Sequence, residues 1–426
     1  MASITLYEKY RVQTMFFEDK EEFTKYGYYL VHGIKTLSKF EAWKLSGGDM
    51  DYVRFIFNDD VFEKENWTEE PTEDIYELYA QRAIQLRKDY DYLVLMYSGG
   101  IDSHVMLKTF LESNIQIDEI CTFSNSDVEE KTGKLNQEVF NKAIPFVQTL
   151  DLKKLGTKFR HIDIGKLVID QWSDEFYFEN FHHFTHGPQW HVIRSHKFKE
   201  NIKDHMDLNL KGKRVCYIWG HDKPNVFLRN NQYCYKVIDT CVDFGARQYV
   251  NQMMLKEKFL NFYDEAFYIS REFPKIIRKQ CHLLINEMKK IPKNDTVRLH
   301  SVGDLANTGP FVVHHKINNV ADPDFTNYKF LARNEITKII YPNEMVGTFG
   351  DDKVKGSMLF SKKDRWFTES NHINQLKWKD KIHSLVSENE KYYNTIFDIE
   401  HQKDVIRAPL SVPSQPYIIA KAQQEK

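Results

Sequence analysis

From Thr72 onward the hydrophobic positions fall into two alternating rhythms. Ile75, Leu78, Tyr79, Ala83 and Leu86 recur at helical spacing behind Asp74, a good N-cap residue, and predict a helix ending near Lys88. Tyr92–Tyr97 then reads Tyr-Leu-Val-Leu-Met-Tyr, too short for a helix and of the unbroken kind found in a parallel strand covered on both faces. Beyond Ser98–Ser103 the helical rhythm returns with Val105, Met106 and Phe110. Further strands are predicted at Glu119–Phe123, Phe159–Ile164 and Arg214–Trp219, with a helix at about Leu135–Leu150. Strands alternating with helices imply an α/β fold with a doubly wound parallel sheet, Rossmann-like, whose ligand site lies beyond the strand C-termini where strand order reverses.

The flanks differ from this middle part. Residues 1–73 form an N-terminal extension that mixes aromatics with acidic clusters, among them Asn58-Asp59-Asp60 and Glu69-Glu70-Pro71, and predicts short strands and helices. Residues 74–294 make the principal domain. Its last part, Phe262–Phe267 and Phe273–His282, is predicted helical on both sides of Pro274. From Asp295 the alternation is lost, and residues 295–426 are assigned to a smaller C-terminal α+β region, a cap or substrate region, with a helix at about Asn371–Asn394 and a Pro-rich tail.

Composition narrows the function classes. The chain has 426 residues, enough for two or three domains with cores of their own, and its 30 Phe and 23 Tyr argue against a largely disordered chain. A formal net charge of −2 gives no global field for nucleic acid or anionic lipid. Met1–Tyr10 lacks the apolar core of a signal peptide, and no apolar run approaches membrane-spanning length. Five cysteines with no Cys-x-x-Cys pair suit neither a disulfide framework nor a four-cysteine zinc site, so a cytoplasmic protein is expected. High Phe, Tyr, Asn and Lys usage is compatible with a viral or AT-rich source, which would make the location the host cytoplasm.

The densest chemical signal is Ser98-Gly99-Gly100-Ile101-Asp102-Ser103, set between strand and helix. Glycines at a helix N-terminus let backbone N–H groups approach phosphate oxygens; Ser98 and Ser103 add hydroxyl donors, and Asp102 suits Mg²⁺. The spacing is neither Gly-x-x-x-x-Gly-Lys-Ser/Thr nor Gly-x-Gly-x-x-Gly. A second Ser-Gly-Gly, at Ser46–Gly48, follows no apolar strand and is expected to be a loop. At these residues the chain resembles the PP-loop ATP pyrophosphatase superfamily, whose signature Ser-Gly-Gly-x-Asp-Ser follows the first strand. Together with Cys121-Thr122-Phe123-Ser124 after the second strand, the order looks most like an asparagine synthetase-type synthetase domain over about residues 74–290.

That resemblance implies a PP-loop/HUP-type sheet that binds ATP and Mg²⁺ and cleaves ATP to AMP and pyrophosphate. A small-molecule or nucleotide substrate would be adenylated for amidation or amine ligation. Ser98, Gly99, Gly100, Ile101, Asp102 and Ser103 would hold pyrophosphate, and Thr122, Phe123 and Ser124 would read adenine. The family's glutaminase carries an N-terminal cysteine; with Ala2 and no Cys before Cys121, nitrogen is expected from free ammonia, another amine or a separate subunit. Alternatives are a sulfur-transfer or phosphoadenosine phosphosulfate reductase-like enzyme, and a non-catalytic nucleotide-binding or structural protein.

Three other stretches add candidates. Arg214–Pro224 ends a strand in Gly220-His221-Asp222-Lys223, where Asp222 can share the metal and Lys223 can face pyrophosphate; the Asp-Glu pair of asparagine synthetase-like loops is here Asp222-Lys223, and the competing reading is a solvated turn. His182, His183, His186, His191 and His196 match no common zinc spacing, and Pro188 favours a helix start that places His191 and Arg194 on one face. In the family a basic residue from the later half meets the adenylated group, which points to Lys279; a lysine stem covering a helix surface is the commoner role.

Overall fold

The computed structural model describes residues 27–36, 42, 45–47, 52–124, 139–167, 196–220, 224–229, 232–237, 261–289, 298–301, 311–314, 339–342, 412 and 414–421. The chain opens with β1 (Tyr28–Val31), β2 (Ile34–Thr36) and β3 (Val53–Ile56), an antiparallel sheet ordered β2-β1-β3. The turn α1 (Asp59–Phe62) and helix α2 (Ile75–Asp89) follow. As expected, Asp74 caps α2: its side chain accepts from the N–H of Tyr76, and Ile75, Leu78, Tyr79, Ala83 and Leu86 are the buried stripe.

Next come β4 (Tyr92–Met96), α3 (Ile101–Glu112) and β5 (Glu119–Ser124). The helix expected at about 135–150 is described from Val139: a π-helical stretch to Ala143 runs into α4 (Ile144–Gln148). Then follow α5 (Leu152–Leu155), β6 (Lys158–Asp163), α6 (His196–Glu200), α7 (Lys203–Leu210) and β7 (Val215–Trp219). The hairpin β8 (Asn225–Arg229) and β9 (Gln232–Lys236) precedes β10 (Phe262–Ala266) and α8 (Lys275–Met288). β11 (Arg298–Ser301), β12 (Phe311–His314) and β13 (Tyr417–Lys421) complete the described elements.

The central sheet is ordered β10-β7-β4-β5-β6, and every neighbouring pair is parallel. Numbered among themselves in chain order, these five strands read 3-2-1-4-5 across the sheet, a doubly wound order. Their side chains alternate between two helical layers. Leu93, Leu95, Ile120, Cys216 and Ile218 join the core shared with α2, α3 and α8. On the opposite face Tyr217 meets Phe198 of α6 and His205 of α7.

One expected element is corrected. Phe262–Phe267 is not helical: Phe262–Ala266 is an edge strand paired with β7. Its charged residues are satisfied on both faces, Asp264 by Lys199 and the indole N–H of Trp219, Glu265 by Arg82 and Tyr90. The helix after Pro274 is present as α8, with Pro274 at its N-cap. The expected helix at about 371–394 lies outside the described residues.

The three sequence segments share one core among the described residues. β13 pairs with β9, and Tyr417 stacks on Trp67 at 4.9 Å and meets Phe62 edge-on at 5.8 Å. Ile340 and Tyr341 pack against Tyr79 and Tyr268 of the principal domain. No described helix is long and apolar enough to cross a membrane.

Candidate functional site

The strand order reverses between β4 and β7, because the chain leaves β4 toward β5 on one side and β7 toward β10 on the other. The carboxyl ends of these two strands therefore flank the crevice where doubly wound sheets bind ligands. Ser98–Ser103 follows β4, and Gly220 follows β7. The two loops touch: a Cβ on Gly220 would lie 2.9 Å from both the backbone N and Cα of Ser103. Only a glycine allows the β7 end to lie this close to the start of α3.

Within the turn, Gly99 takes a φ of +82°, a left-handed conformation that lets the chain double back into α3. Gly100 is the N-cap and has no side chain to cap with, and the first helical bond runs from the N–H of His104 to the Gly100 carbonyl. The N–H groups of this first turn form the positive end of a twelve-residue helix directed into the crevice. The residue after the run, His104, bonds Tyr97 through Nδ1 at 2.9 Å and meets Phe146 edge-on at 4.7 Å.

The hydroxyls of Ser98 and Ser103 bond within the turn itself. Ser103 Oγ donates to the Gly100 carbonyl at 3.0 Å and accepts from the N–H of Ser98 at 3.2 Å. The two hydroxyl oxygens are 3.1 Å apart, and the N–H of Gly100 donates to Ser98 Oγ at 3.2 Å. Both serines thus shape the turn. Ile101 is buried and anchors the helix start in the core.

Asp102 is held at two points. Its carbonyl accepts from the phenol of Tyr268 at 2.6 Å, and its carboxylate Oδ1 accepts from Tyr341 at 2.7 Å. Burial, and then the neighbouring Tyr79 and Asp102, push the Tyr268 phenol far above its ordinary range; burial and then Asp102 do the same to Tyr341, so both stay protonated donors. Neither tyrosine carries a sequence motif, and only the fold brings them to the turn.

The second strand contributes at the same end of the sheet. The N–H of Tyr97 bonds the Cys121 carbonyl at 2.8 Å, which sets Thr122 beside the base of the turn. Thr122 Oγ1 is fully buried and finds no hydrogen-bond partner among the described residues, a costly arrangement in a folded protein. Phe123 is buried, and Ser124 Oγ bonds His161 Nε2 at 2.8 Å. Burial lowers the His161 pKa, outweighing Asp163, which favours a neutral ring at this contact.

The remaining candidates divide. Asp222 and Lys223 lie outside the described residues, as does residues 168–195 of the histidine-rich stretch. Lys279 is on α8, but its ammonium is committed to Glu70 at 2.8 Å and to the Pro71 carbonyl at 2.9 Å. That pairing ties α8 to the segment before α2. Cys121, Cys216, Cys234 and Cys281 are buried free thiols, and burial pushes the thiols of Cys121, Cys216 and Cys281 above their usual range. Such thiols are poor sulfur carriers, and Cys241 lies outside the described residues.

Glu119, Asp204 and His205 bring potential metal-ligand atoms within 4.8 Å of one another on the sheet face opposite α3. That space already holds a cation. Arg160 donates to both Glu119 oxygens at 2.6 and 3.0 Å and to Asp204 at 2.6 Å, and His205 bridges Glu119 and the Tyr217 hydroxyl. The cluster is a structural ion network. Comparison with protein-family descriptions, curated proteins and solved structures finds no match to this chain.

Proposed function

We propose that the protein binds ATP with Mg²⁺ at the Ser98–Ser103 turn and cleaves it to AMP and pyrophosphate, activating an acceptor for amidation or amine ligation. The observation that carries this reading is the position of Ser-Gly-Gly-Ile-Asp-Ser: it links the first strand to its helix at the reversal point of a 3-2-1-4-5 parallel sheet. A finer assignment, to a PP-loop/HUP-type sheet of the asparagine synthetase kind, rests on the same six residues.

The residues fit the group they would hold. The start of α3 offers N–H donors to the β and γ phosphates, and the orphaned Thr122 hydroxyl offers a hydrogen bond in the carboxyl-terminal half of the second strand, toward which the base would lie. Asp102 would hold the metal, which supplies charge neutralisation on the pyrophosphate leaving group. In the reaction an acceptor oxygen attacks the α phosphorus, the bond to the β-bridging oxygen breaks, and pyrophosphate leaves; an amine or ammonia then displaces AMP. No side chain needs to act as a nucleophile. The chain's part is to orient the triphosphate and keep water from the adenylate.

The test is product analysis with α- and γ-labelled ATP and a metabolite extract as acceptor source, comparing wild type with Asp102→Ala. AMP and pyrophosphate from wild type, with at least a hundredfold loss in the variant, is the expected result, a size typical of removing a group that stabilises developing charge. ADP and phosphate, or an unaffected variant, would remove the reading. A second reading, a protein that binds nucleotide without turnover, is favoured by the closed hydrogen-bond set among Ser98, Gly100 and Ser103. Calorimetry showing magnesium ATP binding with no pyrophosphate release would select it.

A further inference from the structure

The turn that offers Asp102 is built from three distant parts of the chain. Tyr79 on α2, Tyr268 just after β10 and Tyr341 near the start of the C-terminal region are all fully buried, and their rings pack together at 5.4, 5.7 and 6.2 Å. The cage is locked to α2 and α8: the Tyr79 hydroxyl donates to the Ile340 carbonyl at 3.1 Å and accepts from the Gln280 amide at 2.8 Å. From this cage Tyr268 reaches the main-chain oxygen of Asp102 and Tyr341 reaches its carboxylate. A buried phenol on one carboxylate oxygen fixes the side-chain rotamer, and with it the direction of the other oxygen. Carboxylates that ligate metals are commonly held in this way, and Mg²⁺ is usually bound through one or two carboxylates together with phosphate oxygens.

We propose that Tyr341 is the positioning residue for the cation-holding carboxylate of Asp102, so that residues 339–342 complete the phosphate turn from the far end of the chain. This rests on the proposed nucleotide reading and adds a residue to it that no glycine-turn pattern contains. The contact spans 239 positions in sequence, so the cation end of the turn is assembled only when the C-terminal segment has docked. Tyr268, which holds the carbonyl and not the carboxylate, sets the height of the turn and has the smaller effect on the cation.

The experiment uses the full chain with Mn²⁺ and the non-cleavable analogue α,β-methylene ATP, with bound Mn²⁺ read by electron paramagnetic resonance and folding by circular dichroism. Tyr341→Phe removes one oxygen and keeps the ring. It should weaken Mn²⁺ binding in the ternary complex by about tenfold to a hundredfold, as loss of a partner to a metal-ligating carboxylate does, while the analogue without metal binds as before. In an Asp102→Asn background the same change should have no further effect. A second measurement needs no destabilising change: 3-fluorotyrosine placed at position 341 alone should show a ¹⁹F signal that broadens on adding Mn²⁺ with the analogue.

Equal Mn²⁺ affinity in Tyr341→Phe, an undiminished effect in the Asp102→Asn background, or a ¹⁹F line unmoved by Mn²⁺ would overturn the positioning role and leave nucleotide binding standing. Wild type that fails to bind the analogue, with or without Mn²⁺, would overturn both.

Discussion

At Gly220 the whole site depends on a missing methyl group. A Cβ there would lie 2.9 Å from the backbone of Ser103, and backbone at a helix start cannot move aside as a side chain can. Gly220→Ala must therefore push the end of β7 away from α3 and open the crevice. The expected cost is about 1–3 kcal/mol of stability, typical of overpacking, read as a lower melting temperature, and on the proposed reading nucleotide affinity falls with it. An alanine variant that melts and binds like wild type would mean that the two loops do not meet as described. The six-residue turn was legible from residue type and spacing. The tyrosines that hold Asp102 were not, because nothing near Tyr268 or Tyr341 in the chain marks them and their contacts span 166 and 239 positions. For Lys279 the partners, Glu70 and Pro71, likewise become visible only in three dimensions.

At the scale of elements, α2, α3 and strands β4 to β7 were readable because each carries its own signal, a capping aspartate, a glycine turn or an unbroken apolar run, whereas the short helices α5, α6 and α7 were not anticipated. β10 was not, since Phe-Tyr-Asp-Glu-Ala puts two carboxylates in a buried strand, and their partners Lys199 and Arg82 come from α6 and α2. β5 begins with a similar exception, the fully buried Glu119. Burial alone would raise its pKa, but hydrogen bonds and charge from His205 and Arg160 outweigh that and hold the carboxyl below the usual glutamate range. A carboxyl more acidic when folded than when unfolded stabilises the fold at neutral pH, and that contribution is lost as pH falls through the folded value. Thermal melts across the acid range should therefore fall more steeply for wild type than for Glu119→Gln, which starts from a lower melting temperature because Arg160 loses the more buried of its two charged partners, Glu119 and Asp204. Parallel curves for the two proteins would show that Glu119 does not couple β5 to β6 and α7 through its charge.

For the molecule as a whole, the decisive feature is the return of the C-terminus to the first third of the chain. β13 covers one edge of the β8–β9 hairpin, and Tyr417 enters an aromatic cluster with Phe62, Trp67 and Tyr235. The Trp67 indole N–H is satisfied by the Phe62 carbonyl at 2.6 Å, so the cluster buries its polar edge as well as its rings. Composition shifts placed boundaries near 73 and 294, yet a strand of five residues at the end of the third segment shares a core with the first and second. Such pairing has no local signature, since Tyr-Ile-Ile-Ala-Lys is ordinary strand sequence that names no partner. A chain shortened to residue 410 would lose β13 and leave both the Trp67 rings and the edge of β9 bare. An uncovered edge strand beside exposed aromatics is a template for association. The shortened chain should melt at lower temperature than the full protein and self-associate in light scattering, and Tyr417→Ala should reproduce the loss of stability with β9 still covered. If truncation lowered stability no more than Tyr417→Ala and left the protein monodisperse, the aromatic contact alone, and not the strand pairing, would be what the C-terminus contributes.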